Sequence, residues 1–209
     1  MRILFCGDLV GRSGRDVVVE KLPALRRDLD LDLVVANGEN AAGGFGITQK
    51  ICDDLYKAGV DCITTGNHVW DQKETLSFIG SDPRLLRPIN FPAGTPGKGS
   101  GIYQTARGKK VMVANIMARL FMDPLDDPFQ AAEQLLLGGG EVGVGQVESG
   151  GDRQVLGGQQ LQPARGGGQL GGQPGQGPGR MVVQLAGRHP DRERQAPAQP
   201  GDLPDPRAG

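Results

Sequence analysis

Three short apolar runs separated by helix-length amphipathic segments constrain this chain more than any other feature. They are Arg2–Val10, Asp32–Ala36 and the run opening Asp61-Cys-Ile-Thr-Thr-Gly-Asn-His-Val-Trp-Asp71. Between them, Asp16–Arg27 and Gln49–Ala58 carry apolar residues at helical spacing. Strand, helix, strand, helix, strand is the order of a parallel sheet with right-handed crossovers, whose strand C-termini gather along one edge. The fold class is therefore α/β. Thr48 suits the N-cap of the second helix and Gly59 its C-terminus. Pro23 is expected to kink or divide the first helix, and Gly11–Gly14 to form a loop before it.

Each apolar run ends in polar side chains: Asp8, then Glu39 with Asn40, then Asn67 with His68. In an open α/β sheet this is the edge where ligands bind. One Asn-His pair could simply cap a turn, but three clusters in succession exceed what capping requires. Two carboxylates and two amide oxygens are hard donors, and a carboxylate placed between two cations can bridge them. Metal-assisted phosphoryl chemistry is the leading reading. A nucleotide-binding Rossmann-like domain ranks behind it, because the glycine turn after the first run lacks the full G-x-G-x-x-G pattern and a Walker lysine.

Trp70 reads as a core or lid anchor, and Gln72–Ile79 as a polar helical stretch. Pro83–Gly101, with Pro88, Pro92 and Pro96, reads as irregular loop. Gly101–Ala106 and Lys109–Ala118 read as two strands joined at Arg107-Gly108. Met112, Met117 and Met122 are expected as core filler, and Lys98, Arg107 and Arg119 as solvated surface. Pro128–Leu137 should begin another helix. After Leu137 the 209-residue chain changes character: Gly, Gln, Arg, Pro and Ala dominate, and no aromatic, Lys, Ile, Asn, Thr or Cys occurs. Such a tail buries too little apolar surface to offset its ordering entropy and is expected to be mostly disordered. A net charge of −1 argues against a general nucleic-acid or membrane surface. No run of about 18 apolar residues occurs, which points to a cytoplasmic protein. Cys6, Cys52 and Cys62 lack CxxC spacing and read as buried thiols.

The series Gly7-Asp8, Val10-Gly11 and Gly14-Arg15, then Asn37-Gly-Glu-Asn-Ala-Ala-Gly-Gly44, then Thr65-Gly-Asn-His-Val-Trp-Asp71 resembles the calcineurin-like metallophosphoesterases of the YmdB type. These form the 2′,3′-cyclic-nucleotide 2′-phosphodiesterase family. Asn90-Phe-Pro-Ala-Gly94 and Phe121-Met-Asp123 are similar to it as well, so the resemblance covers residues 1–136. It implies a sandwich of two sheets between helices, a cytoplasmic location and a centre of two divalent metal ions, iron or manganese. It also implies a small cyclic nucleotide or other phosphodiester as substrate.

Position by position, the resemblance makes Asp8 a ligand of the first metal, Glu39 the bridging carboxylate, Asn40 a ligand beside it and Asn67 a ligand of the second metal. His68 becomes the catalytic histidine that protonates the leaving alkoxide, while the paired cations turn a water into hydroxide. The family completes its site with a histidine after the next strands and a later Gly-Thr-His-Thr-His motif. This sequence has neither, and its one other histidine, His189, matches no family ligand.

Residues 1–136 are thus expected to be the N-terminal part of a metallophosphoesterase domain with impaired activity, and 137–209 a frameshifted reading of a GC-rich gene. A genuine low-complexity linker is the alternative for the tail. A non-catalytic remnant with a partial metal or phosphate site is the alternative for the function. Uncovered sheet faces would make the chain as written prone to aggregate.

Overall fold

The computed structural model describes residues 1–120, 122 and 124–138, together with the backbone of two strands at 142–144 and 179–186. Four strands, β1 (Ile3–Asp8), β2 (Leu33–Asn37), β3 (Cys62–Thr64) and β4 (Leu85–Leu86), pair in that order, all in parallel. A second sheet has the order β5 (Ser100–Gln104), β6 (Lys110–Met117), β8 (Gly179–Ala186), β7 (Val142–Val144). Its β5–β6 pair is antiparallel and its other pairs are parallel.

The layers follow from alternation along β2. Leu33 and Val35 point between the sheets, joining Cys62, Leu86, Val111 and Val113 in one buried cluster. Val34 and Ala36 point the other way, into a larger cluster with Leu22 of helix α1 (Gly11–Asp28) and Ile51, Cys52 and Leu55 of helix α2 (Gln49–Ala58). A strand buried on both faces needs a continuous apolar run, which β2 has. Leu22, Val34, Leu55 and Ile63 are almost wholly buried, and each such side chain contributes about 2 kcal/mol of transfer free energy.

Helix α2 is fixed locally at both ends. The Ile51 amide donates to Thr48 Oγ1 at 3.3 Å, and Gly59 closes the helix in the left-handed region at φ 108°. Helix α1 departs from expectation at both of its special residues. It begins at Gly11, so the segment expected as a loop is its first turn, and it runs through Pro23 without dividing. Leu22 and Val18 pack on the core and hold the helix continuous across Pro23, despite the lost backbone hydrogen bond and ring clash that a mid-helix proline brings.

The stretch expected as irregular loop contains β4, whose two residues pair with Ile63 and Thr64 of β3. Two residues are too few for any periodicity, and the flanking prolines mask them. The polar stretch Gln72–Ile79 contracts to one helical turn, α3 (Thr75–Phe78). β5 and β6 join at a turn containing Gly108 in the left-handed region, and helix α4 spans Pro128–Gly138.

Met112 and Met117 are buried and Met122 is half-buried. Trp70 is half-buried with its ring edge-on to Phe91. Lys98, Arg107 and Arg119 are all exposed; Arg107 bonds Asp30 and Asp32, and Arg119 bonds Asp127. Cys52 and Cys62 are buried and Cys6 is half-buried, all as free thiols; burial pushes the Cys62 thiol up to about 12. Within the tail, β7 and β8 are strands in a stretch whose composition predicts no regular structure. His189, Phe121 and Asp123 lie outside the described residues, as does the rest of the tail. No described helix is long and apolar enough to cross a membrane.

Candidate active site at the C-terminal edge of the parallel sheet

The register of β1 on β2 slips between Cys6 and Asp8, so Gly7 is an extra residue and Asp8 sits opposite Asn37. Such a bulge re-aims the side chain that follows it. Here it brings Asp8 to Asn40, whose Nδ2 donates to both carboxylate oxygens at 2.9 Å. The Asn40 amide is thereby oriented, and its Oδ1 is buried with no hydrogen-bond partner among the described residues.

Glu39 follows β2 and is buried. Its backbone amide donates to Asn37 Oδ1 at 3.0 Å, and Asn37 Nδ2 reaches Oε1 at 3.5 Å. Oε2 has no hydrogen-bond partner among the described residues. Burial raises the Glu39 pKa first and the nearby Asp8 charge raises it further, against lowering by His68 and Asn37. No Lys or Arg pairs with Glu39 among the described residues. A buried carboxylate with an orphan oxygen beside a second carboxylate is costly unless a cation answers it. The donor set therefore fits a hard divalent cation.

Past β3 the chain turns at Gly66 into a 3-10 helix, Asn67–Trp70. A Cβ at Gly66 would lie 2.1 Å from Glu39 Oε2 and 2.7 Å from its carboxyl carbon, so any other residue here must displace the Glu39 carboxylate. The sequence shows Gly66 only as a chain break, and its role as the seat of Glu39 comes from the tertiary approach. Asn67 opens the 3-10 helix and is half-buried. The nearby His68 acts to lower the Glu39 pKa, against the larger raising effects of burial and Asp8.

The His68 ring is held from two sides. Nδ1 lies 2.6 Å from Asp71 Oδ2, and the Phe45 ring packs edge-on at 5.1 Å between centroids. Neither partner stands out in the sequence, although the three-residue spacing from His68 to Asp71 places both on one face of a helical turn. The structure thus joins Asp8 to Asn40 and sets the turn at Gly66, which leads into Asn67 and His68, against the Glu39 carboxylate. Among the described residues no group of three or more His, Cys, Asp or Glu side chains that could hold a metal ion occurs. An open groove of about 630 Å³ lies between α1 and α2, lined by Arg12, Arg15, Lys50 and Lys57 among others, and includes none of these site residues.

The family model described as YmdB-like protein matches residues 4–141. The chain belongs to the YmdB-like family. It is 52% identical over 136 residues to 2′,3′-cyclic-nucleotide 2′-phosphodiesterase of Bacillus subtilis strain 168, a match taking in 65% of this chain and 51% of that protein. Among solved structures it is similar to a hypothetical protein from Thermus thermophilus, with TM-score 0.62, 44% identity and coverage of 66% of this chain and 53% of that one. It is also similar to a novel phosphatase from Mycoplasma pneumoniae, with TM-score 0.60, 30% identity and coverage of 65% and 50%. This YmdB-like chain spans about half the length of the curated relatives it matches. Every residue of the candidate site falls inside the matched segment.

Proposed function

We propose that residues 1–136 carry part of a metal-dependent phosphodiesterase centre that opens 2′,3′-cyclic nucleotides. The observation that carries this is the pair of buried oxygens without hydrogen-bond partners among the described residues, Glu39 Oε2 and Asn40 Oδ1, beside Asp8, with the Asp71-oriented His68 on the adjoining turn. The relative named as a 2′,3′-cyclic-nucleotide 2′-phosphodiesterase supports the substrate class.

Asp8, Glu39 and the Asn40 and Asn67 side-chain oxygens would hold divalent cations, iron or manganese by family resemblance. Bound there, a cation supplies Lewis-acid charge for the phosphate and acidifies a water. Asn40 fixes the Asp8 carboxylate through both oxygens, and Gly66 lets the Glu39 carboxylate lie flat against the turn. His68 commits Nδ1 to Asp71, so Nε2 is the nitrogen left to give a proton to the 2′-alkoxide as the P–O2′ bond breaks. The oxygen of water ends on phosphorus and the product is a nucleoside 3′-phosphate.

A second reading is a non-catalytic remnant that binds one cation or a phosphate. It is favoured by the donor count, because the histidines that close the site in the family have no counterpart here apart from the unmatched His189. Metal analysis of the purified chain, followed by hydrolysis of adenosine 2′,3′-cyclic phosphate with added Mn²⁺, separates the two. Near-stoichiometric metal and turnover that His68→Ala abolishes establish the enzyme. Metal-free, inert protein establishes the remnant.

A further inference from the structure

We propose that Phe45 is the platform on which the nucleobase of the substrate stacks. This rests on the phosphodiesterase reading above and adds the feature that distinguishes a nucleotide from other phosphodiesters. Phe45 is 54% exposed, which alone would be unremarkable, since single apolar side chains are common on surfaces. Its setting differs from that of the other exposed large apolar residues, because its ring touches His68 at 5.1 Å with an interplanar angle of 73°.

The backbone that carries Phe45 is pinned on every side. The Gly44 amide donates to the Asn40 carbonyl at 3.1 Å, tying the loop to the metal-ligand segment. Gln72 Nε2 donates to the Phe45 carbonyl at 2.8 Å, and the Ala42 amide to the Gly46 carbonyl at 2.9 Å. Gly46 admits no side chain, since a Cβ there would meet Gln72 Cγ at 2.8 Å and the His68 carbonyl at 3.2 Å. By contrast, a Cβ on Gly43 or Gly44 would meet nothing within 4 Å. The loop therefore holds the backbone of Phe45 in place beside His68, with open space at Gly43 and Gly44.

A cyclic phosphate fused to ribose has a single aromatic part, its base, a few bonds from the scissile P–O2′ bond. With phosphorus between Glu39 and His68, an exposed ring beside His68 lies where that base must go. Stacking accepts every base, because each has a π-face. Phe45 therefore selects nucleotides as a class rather than one base.

Calorimetric titration of the whole chain, with Mn²⁺ present, by adenosine 3′-monophosphate and by inorganic phosphate tests this. Phe45→Ala should weaken the nucleotide about tenfold while leaving phosphate within about twofold, and Phe45→Tyr should restore the nucleotide. Equal weakening of both ligands, or no weakening of the nucleotide, overturns the proposal. Cyclic-phosphate hydrolysis that persists alongside nucleotide binding indifferent to Phe45 sinks this proposal alone. Wild-type protein that neither binds phosphate nor hydrolyses the cyclic nucleotide sinks the phosphodiesterase reading with it.

Discussion

The two ends of the parallel sheet treat their carboxylates in opposite ways. At the N-terminal end of the strands, Asp32 accepts the Arg2 amide at 2.7 Å and faces the N-terminal ammonium at 3.9 Å and Arg107 at 3.4 Å. Asp61 accepts the Val34 amide at 2.7 Å and both terminal nitrogens of Arg26 at 2.8 and 3.2 Å. At the C-terminal end Glu39 has amide partners, a neighbouring carboxylate and an orphan oxygen. Carboxylates answered by cations of the same chain hold the fold together. Glu39, with no cation partner among the described residues, is where the proposed metal would sit.

The comparison breaks if Glu39 is no more consequential for function than Asp61. Glu39→Gln should cut hydrolysis by about a thousandfold or more, on the scale of losing a principal electrostatic group. The same change should stabilise the metal-free protein. Because burial and Asp8 raise the Glu39 pKa above the usual 4.5, the folded protein keeps a proton that the unfolded chain has already lost. The resulting stability is complete below that usual value and is lost as pH rises through the folded value. Thermal melts in chelator should therefore show wild type losing stability relative to Glu39→Gln as pH rises through that window. Parallel curves would show that no such penalty exists.

Gly66→Ala sharpens the same point through geometry alone. A methyl group 2.1 Å from Oε2 must displace the carboxylate, and Mn²⁺ affinity by calorimetry should fall about 10- to 100-fold. Unchanged affinity would mean that Glu39 is not a ligand.

At the other edge, Asp61→Ala leaves the buried Val34 amide without its acceptor and should cost about 2 kcal/mol in denaturant unfolding, with Mn²⁺ affinity intact. The Arg26 pair adds little to that figure, since both side chains are about 30% exposed.

The smallest expected effect is that of Asp71→Asn, which loosens His68 without removing it. Cleavage of the cyclic nucleotide, whose alkoxide needs a proton, should slow about tenfold. Bis(4-nitrophenyl) phosphate, whose phenolate leaves unaided, should be cleaved within about twofold of the wild-type rate. Equal slowing of both would reduce Asp71 to a structural contact.

The contrast between the edges is only half visible in the residues. Asp8, Glu39, Asn40, Asn67 and His68 can be picked out because each ends an apolar run, and a parallel sheet gathers such ends whatever its loops do. Asp32 and Asp61 open their runs just as plainly. Nothing local, however, says that Arg26 and Arg107 will travel to meet them. The partners of a carboxylate are separated from it by 27 to 75 positions, and sequence carries no signal for that pairing.

Local chemistry by itself determined the strand–helix alternation, the cap at Thr48, the stop at Gly59 and the β5–β6 turn, because each rests on interactions within a few residues. Family motifs in their order added the candidate roles. Tertiary structure alone decided four things: the continuity of α1 through Pro23, the two-residue strand β4, the bulge that aligns Asp8 with Asn37, and the closeness of Gly66 to Glu39. Each is settled by packing between segments distant in the chain, where burial and close approach outweigh local preference. The same is true of Phe45, an ordinary loop residue until the fold sets it against His68.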